Sequence, residues 1–417
     1  LEVSPITTVG ERIRKIRKEK KLTLEALAGE KITKGMLSLI ENNKANPSME
    51  SLTYIAEQLG VAVAELLEEV SSQELQGLLE EAERLFNEDF EEYPNKYKDI
   101  VSIIRPISDK LVQGYESARL LDIYCRCIYQ EEKTGWEEYA ERAAQIYDEM
   151  NLTTRRGNLG RFRAIVKFME HDYEKALQIL IREREYVESH HAYIDPITRL
   201  DFDYHEAILH FAVGDTESAI RVMESAIDFS KKHRIFYLID DLYRLAAGYA
   251  MLSNDKEKMI EYSNKLKLYG EFADDENSIL FYHLIRTQIL IVLEKRYLDA
   301  IQIIDEILQA HSSFIWPYFA LQKGAALYLL GRYEETIQVL GKVEISSYVH
   351  HPFDLSMLYA KDAYIALSYW KLGEEEAALQ HAKQAVDNIS PLPHSVNTDF
   401  VLETYNEVKN KMTKNRS

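Results

Sequence analysis

Asp172-Tyr173-Glu174-Lys175-Ala176 is a phrase the chain repeats. It returns as Asp215-Thr216-Glu217-Ser218-Ala219 and Asp255-Lys256-Glu257-Lys258-Met259. Further copies read Arg296-Tyr297-Leu298-Asp299-Ala300, Arg332-Tyr333-Glu334-Glu335-Thr336 and Glu374-Glu375-Glu376-Ala377-Ala378. Their final residues are spaced by 43, 40, 41, 36 and 42 positions. Twelve residues before each stand Ala164, Ala207, Ala247, Gln288, Gly324 and Ala366, five of them small. A small residue there lets one helix lie close against the next. A period of this length in a helical pattern predicts stacked helix pairs, each needing a neighbour to bury its apolar face.

The spacing resembles tetratricopeptide repeats with longer helices. A less regular pair is expected from helices at 115–131 and 136–150, giving seven or eight pairs from about residue 72 to 410, with atypical units at the ends. The fold class expected is all-α: a five-helix N-terminal domain, then a right-handed superhelical solenoid.

Composition sets the outer bounds. A chain of 417 residues with 46% hydrophobic content suits two domains or a solenoid. It has no run of 18 apolar residues, so no membrane span is expected. Leu1 in place of Met predicts a processed N-terminus, and no charged-then-apolar leader follows it. The only cysteines, Cys125 and Cys127, point apart at i, i+2 on a helix; two thiols without a leader favour the cytoplasm. The net charge of −19 is uneven. Residues 10–48 hold ten Lys and Arg against five Asp and Glu, whereas residues 71–417 hold 40 against 58. A basic module that suits a polyanion therefore leads an acidic body that would be repelled by one.

Residues 10–22 read as a basic amphipathic helix with Ile13, Ile16 and Leu22 apolar. Thr23 caps a short helix, and Thr33 caps another carrying Met36, Leu37, Leu39 and Ile40. Pro47-Ser48 opens a fourth helix that Gly60 ends, and Val61–Leu67 make a fifth. Five short helices with a tight turn between the second and third predict a helix-turn-helix DNA-binding domain. The words Leu22-Thr23…Leu27-Ala28, Ile32-Thr33…Leu37-Ser38…Ile40-Glu41, Asn46-Pro47-Ser48 and Leu52…Ile55-Ala56…Leu59-Gly60-Val61 resemble the repressor/Xre family. That family often has a phosphate-gripping Gln where Leu24 stands here. The expected boundaries are 6–68 for this domain, 69–75 for a linker and 76–412 for the solenoid.

On double-stranded DNA, base readout is expected from Lys34, Ser38 and the Asn42-Asn43-Lys44 turn, with Thr33 starting the recognition helix and Met36 touching a thymine methyl. Phosphate contacts are expected from Arg12, Arg14, Lys18, Lys44 and main-chain amides. In the solenoid, positions 18, 15 and 14 before the end of each phrase should face a concave groove. They include Asn158, Arg161, Tyr204, Asp241, Arg244 and Gln322, with Arg126 on a similar face in the preceding pair. Such Arg, Asp, Asn, Gln and Tyr groups can clamp an extended peptide, whose own amides and carbonyls need partners.

Nothing in the sequence assembles an enzyme or a cofactor site. His190-His191 and His350-His351 are adjacent pairs, poor for a metal. Gly157-Asn158-Leu159-Gly160 lacks the strand and Lys-Ser/Thr of a phosphate loop.

This domain order, a basic helix-turn-helix ahead of a long acidic repeat array, resembles the RNPP quorum-sensing regulators of Gram-positive bacteria. The resemblance implies a cytoplasmic receptor for a short re-imported signalling peptide that lies in the groove, changes the oligomer and so controls promoter binding. One branch implies more. Its peptide-bound tetramer activates extracellular protease genes, and its peptide-free dimer binds a sporulation phosphorelay protein, as Rap proteins do. The alternative is a Rap-like phosphorelay inhibitor that acts through the repeats without DNA.

Overall fold

The computed structural model describes residues 8–67, 72–253, 255–310 and 316–416. Among them there are helices and no strand. The chain divides into two compact units, Leu1–Leu159 and Gly160–Ser417.

The first unit begins with five helices: α1 Val9–Glu19, α2 Leu24–Ala28, α3 Lys34–Glu41, α4 Met49–Leu59 and α5 Val63–Leu67. Each of the first four is started by a hydroxyl cap. Thr8 forms a capping box with Glu11, and Thr23, Thr33 and Ser48 accept from the amides of Ala26, Met36 and Ser51. Helix α1 stops three residues short of the expected Leu22, because Lys21 turns left-handed with φ 55°. The α5 helix starts at Val63 rather than Val61; Glu65 reaches back to the Ala62 amide at 2.9 Å. Ile13, Leu27, Leu37, Ile40, Leu52, Ile55, Leu59 and Leu66 form one core. Two features lock α1 to α3. A Cβ on Gly10 would sit 1.9 Å from the Ile40 carbonyl oxygen, so only glycine permits the approach. Arg17 also grips the buried Glu41 in a two-pronged pair at 2.6 and 2.7 Å.

Of the expected linker, 69–71 lie outside the described residues, and a helix Ser72–Asn87 already runs through the remainder. It pairs with Lys96–Ile104, and Tyr115–Glu132 pairs with Glu137–Glu149. Between them, a 3₁₀ turn at Arg105–Lys110 accommodates Pro106. Cys125 and Cys127 are buried, and burial pushes the Cys127 thiol up to about 12.

Helix pairs continue through the second unit: 173–190 follows 153–169, within which the unit boundary falls, and then come 196–212 with 216–233 and 239–252 with 256–273. The series ends with 276–293 and 297–310, 316–329 and 333–340, and 352–372 and 375–389, before a last helix at 396–416. The described residues thus contain eight pairs after α5. The phrase has a local cause. Asp172, Asp215 and Asp255 are N-caps, accepting from the amides of Lys175, Ser218 and Lys258. In the later copies Arg296 and Arg332 stand there and bind Asp299 and Glu335 one turn on instead. The phrase ends Ala176, Ala219, Met259, Ala300, Thr336 and Ala378 are all at most 2% exposed. Ala164, Ala207, Ala247 and Ala366 are buried opposite them. Gly324 is tighter still: a Cβ there would lie 2.4 Å from Leu340. Gln288, the one large residue of that series, is followed by a π-helical turn at Ile289–Leu293. A π turn re-aims the helix where the register departs.

Within the second unit the chain also returns on itself. Tyr173 Oη donates to the His350 carbonyl at 2.8 Å, and His351 Nε2 lies 3.3 Å from the Ile208 carbonyl. These links join the start of helix 352–372 to helices 143 and 177 residues earlier.

Candidate functional site

The outer face of α3 and the turn after it form the first candidate surface. Lys34, Met36, Asn42, Asn43 and Lys44 are exposed and Ser38 is half-buried. Thr33 spends its hydroxyl on the Met36 amide at 3.1 Å. Lys34 reaches Glu25 at 2.8 Å with both ends in solvent. Such a pair is weak and exchanges readily for another anion. Asn42 Nδ2 donates to the Ser38 carbonyl at 2.7 Å, and Asn43 turns left-handed with φ 57°, its side chain bound to Thr8. Met36 and Leu39 are 43% and 45% exposed, so this face presents apolar atoms as well. Arg14, Lys18 and Lys44 are exposed cations. Arg12, expected at a phosphate, is instead 4% exposed, and its Nε donates to the Leu66 carbonyl at 3.1 Å. The α1 face that buries Ile13 carries its neighbour in with it, and Arg12 ties α1 to α5.

The groove residues divide. In the first unit, Asp122 is fully buried between Arg119 at 2.9 Å and Arg126 at 2.7 Å. These cations hold the Asp122 carboxyl below its ordinary value against the opposing pull of burial. Arg126 also donates to the Asn158 carbonyl at 3.3 Å, so the two predicted residues meet. In the second unit, Arg161 pairs with Asp201 at 3.5 Å and approaches His205 at 3.3 Å. Burial and the Arg161 charge push His205 down to about 4. Gln322 is buried; its amide donates to the Leu284 carbonyl at 3.0 Å and its oxygen accepts from Thr287. Its hydrogen-bonding groups join two helices.

Tyr204, Asp241 and Arg244 come together on the wall of a cavity of about 690 Å³ inside the second unit. This size falls within the roughly 300–1,000 Å³ of ligand pockets. Phe168, Phe211, Tyr249 and Phe281 line the same cavity, with Ile208 and Leu245. Arg244 binds Asp240 at 2.8 Å and Asp241 on its own helix, and its guanidinium lies 5.4 Å from the Phe281 ring centre. Two carboxylates and a ring fix its fork while further N–H donors remain. The opposite wall comes from residues the register does not reach: His351, Phe353 and Asp354 at the start of helix 352–372, and Pro393–Val396 with Asp399. Burial pushes His351 down to about 4, so it is neutral at pH 7. Burial pushes the Asp354 carboxyl up to about 7. Asp354 was missed because helix 352–372, at 21 residues, extends upstream of the repeat register.

Among the described residues, no group of three His, Cys, Asp or Glu is arranged to hold a metal, and no helix is long and apolar enough to cross a membrane.

These features define an all-helical protein with a small capped N-terminal module ahead of helix-pair repeats that line a half-open cavity. Residues 10–71 match the model of a helix-turn-helix domain. Over 106 residues, 25% of the chain, the sequence is 35% identical to the immunity repressor protein of Bacillus phage phi105, and the match spans 65% of that protein. Among solved structures, PlcR of Bacillus thuringiensis in complex with the peptide PapR7 and DNA is similar at 18% identity and TM-score 0.35, covering 65% of this chain and 99% of that one. The pheromone receptor Rgg2 of Streptococcus dysgalactiae is similar at 14% identity and TM-score 0.32, covering 67% and 99%.

Proposed function

We propose that this chain is a peptide-gated transcription regulator of the RNPP type, acting in the cytoplasm. Its N-terminal domain binds promoter DNA, and a short signalling peptide occupies the cavity of the second unit. One observation carries the reading. A chain with an N-terminal helix-turn-helix module has, in its repeats, a half-open, mixed aromatic and polar cavity of about 690 Å³. Apolar walls with a few oriented polar groups suit a peptide, whose side chains fill the aromatic pockets and whose carbonyls take the free donors. Tyr204, Asp241 and Arg244 are the contacts we assign. The DNA face uses Lys34, Met36, Ser38 and the Asn42-Asn43-Lys44 turn for bases, and Arg14, Lys18 and Lys44 for phosphates.

In its sequence words the chain looks like NprR of the Bacillus cereus group. That likeness motivates the finer reading: an NprX-like peptide, activation of extracellular protease genes, a tetramer with peptide and a dimer without it. It also motivates a peptide-free complex with a sporulation phosphorelay protein. The net −18 of residues 71–417 favours a role for the repeats away from DNA as well.

Light scattering on the full chain tests the gating, with peptides from small exported precursors encoded beside its gene. A peptide-specific rise in mass, with tighter promoter binding, is expected. If no peptide binds or changes the mass, the receptor reading fails, and the protein-interaction reading takes its place.

A further inference from the structure

Asp354 stands apart from the other charges of the cavity. Asp241 is paired with Arg244, and Asp399 lies 2.8 Å from His394. Arg244 is itself held by two carboxylates. Asp354 has no ion pair among the described residues. Phe353 and Phe281 share the cavity with it, and the phenols of Tyr204 and Tyr318 lie within its field. Asp354 is half-buried on the cavity wall, and a carboxylate removed this far from water keeps a desolvation cost unless something neutralises it. Its position in the first turn of helix 352–372 gives it only the mild support of the helix dipole. The same wall offers aromatic faces, which also attract cations.

We propose that Asp354 is the cation subsite of this cavity, so that the ligand carries an ammonium or guanidinium group set among apolar or aromatic side chains. For a peptide, and this rests on the peptide reading above, the cation is a Lys or Arg side chain or the free N-terminal amine. Binding then relieves the cost at Asp354, which makes the subsite a selector: a neutral isostere leaves the carboxyl unpaired, and an acidic one opposes it.

The other titratable groups on the cavity walls separate cleanly from this one. His351 is held neutral by burial, the Tyr204 phenol is raised by burial, and the Arg244–Asp240–Asp241 group is internally paired. A cation arriving at Asp354 near pH 7 displaces its proton, so binding releases protons.

The experiment uses the full chain and pools of short synthetic peptides. Each pool fixes Lys, Arg or the neutral residue norleucine at one position and randomises the rest. Retained peptides are separated by size exclusion and read by mass spectrometry. Basic pools should be retained roughly 30-fold or more over norleucine pools. Asp354→Asn should abolish that preference and Asp354→Glu restore part of it, each checked for folding by circular dichroism. N-terminal acetylation assigns the source: a preference that persists means a side chain, and one that vanishes means the terminal amine. Equal retention of basic and neutral pools, or an unchanged preference in Asp354→Asn, overturns the assignment. Retention of no pool overturns the peptide reading instead, and phenethylamine against phenethyl alcohol then decides the subsite by thermal shift. An amine-specific shift lost in Asp354→Asn upholds it; no amine-specific shift removes it.

Discussion

Asp354 carries a stability cost that the proposed cation would relieve. Its carboxyl is raised from 3.8 to about 7 by burial, so the folded state holds the proton more tightly than the unfolded chain. The stability it permits is fully present below pH 3.8 and declines as pH rises to about 7. At about 1.4 kcal/mol per pK unit, the loss above that window is a few kcal/mol. Asp354→Asn in the ligand-free chain should therefore melt several degrees higher at pH 8, and the gain should shrink towards pH 4. A gain of equal size at both pH values would show that the substitution acts through packing. Arg17 makes the opposite case. It sits beside the expected DNA cations on α1, yet it holds the 3%-exposed Glu41 at 2.6 Å. Removing one partner of such a pair costs about 3–5 kcal/mol. Arg17→Ala should unfold the N-terminal domain, seen as loss of its helical signal, whereas Lys44→Ala should weaken DNA binding with the melt unchanged. Equal melts would place Arg17 at the surface. Sequence alone could not sort these cations, because Arg12, Arg14 and Arg17 differ only in which side of one helix they occupy.

At the scale of the element, the repeats were legible because the phrase has two physical jobs. Its Asp caps a helix, and its last residue, with the small residue twelve positions earlier, sets the distance between two helices. Both requirements act locally, so they leave a local mark. The HTH domain was legible for the same reason, through Thr23, Thr33, Ser48 and Gly60 at its helix ends. The cavity's far wall was not. The links from Tyr173 to His350 and from His351 to Ile208 join elements far apart in the chain, and no spacing rule encodes that return. Gln322 followed the groove register correctly by number yet is buried against Thr287, because that register fixes a face of a helix and not how closely the next helix covers it. Gly324 tests the spacing argument. Alanine there would gain about 1 kcal/mol of helix propensity. Its Cβ would nonetheless meet Leu340, whose side chain is fully buried, and overpacking of this kind costs about 1–3 kcal/mol. Gly324→Ala should lower the melting temperature, and the double variant with Leu340→Ala should lose less stability than the two single losses summed. Strict additivity of the two changes would mean that the helices do not meet there.

For the whole molecule, the proposed function raises the question of how an acidic chain of net charge −19 would bind a polyanion, and how a ligand would control that. The favourable charge is confined to the first residues, where Arg14, Lys18 and Lys44 are exposed. Each phosphate they neutralise releases counterions, so the logarithm of affinity falls with the logarithm of salt by about 0.9 per contact. One module offers few such contacts, which makes the number of modules on the DNA readable from the slope. Two modes of gating then separate. A ligand that only frees an existing module shifts affinity at every salt concentration by the same factor. A ligand that assembles more modules on one promoter steepens the slope as well. The proposed change of oligomer is of the second kind, so the cavity ligand should both raise the mass of the protein and steepen its salt dependence on promoter DNA. Lys44→Ala should reduce the slope by about one per module engaged, which counts the modules independently. A rise in mass with an unchanged slope would mean that the added subunits keep their DNA domains off the promoter. The assembly would then serve the repeats, and the acidic body would be the part of the molecule that the ligand regulates.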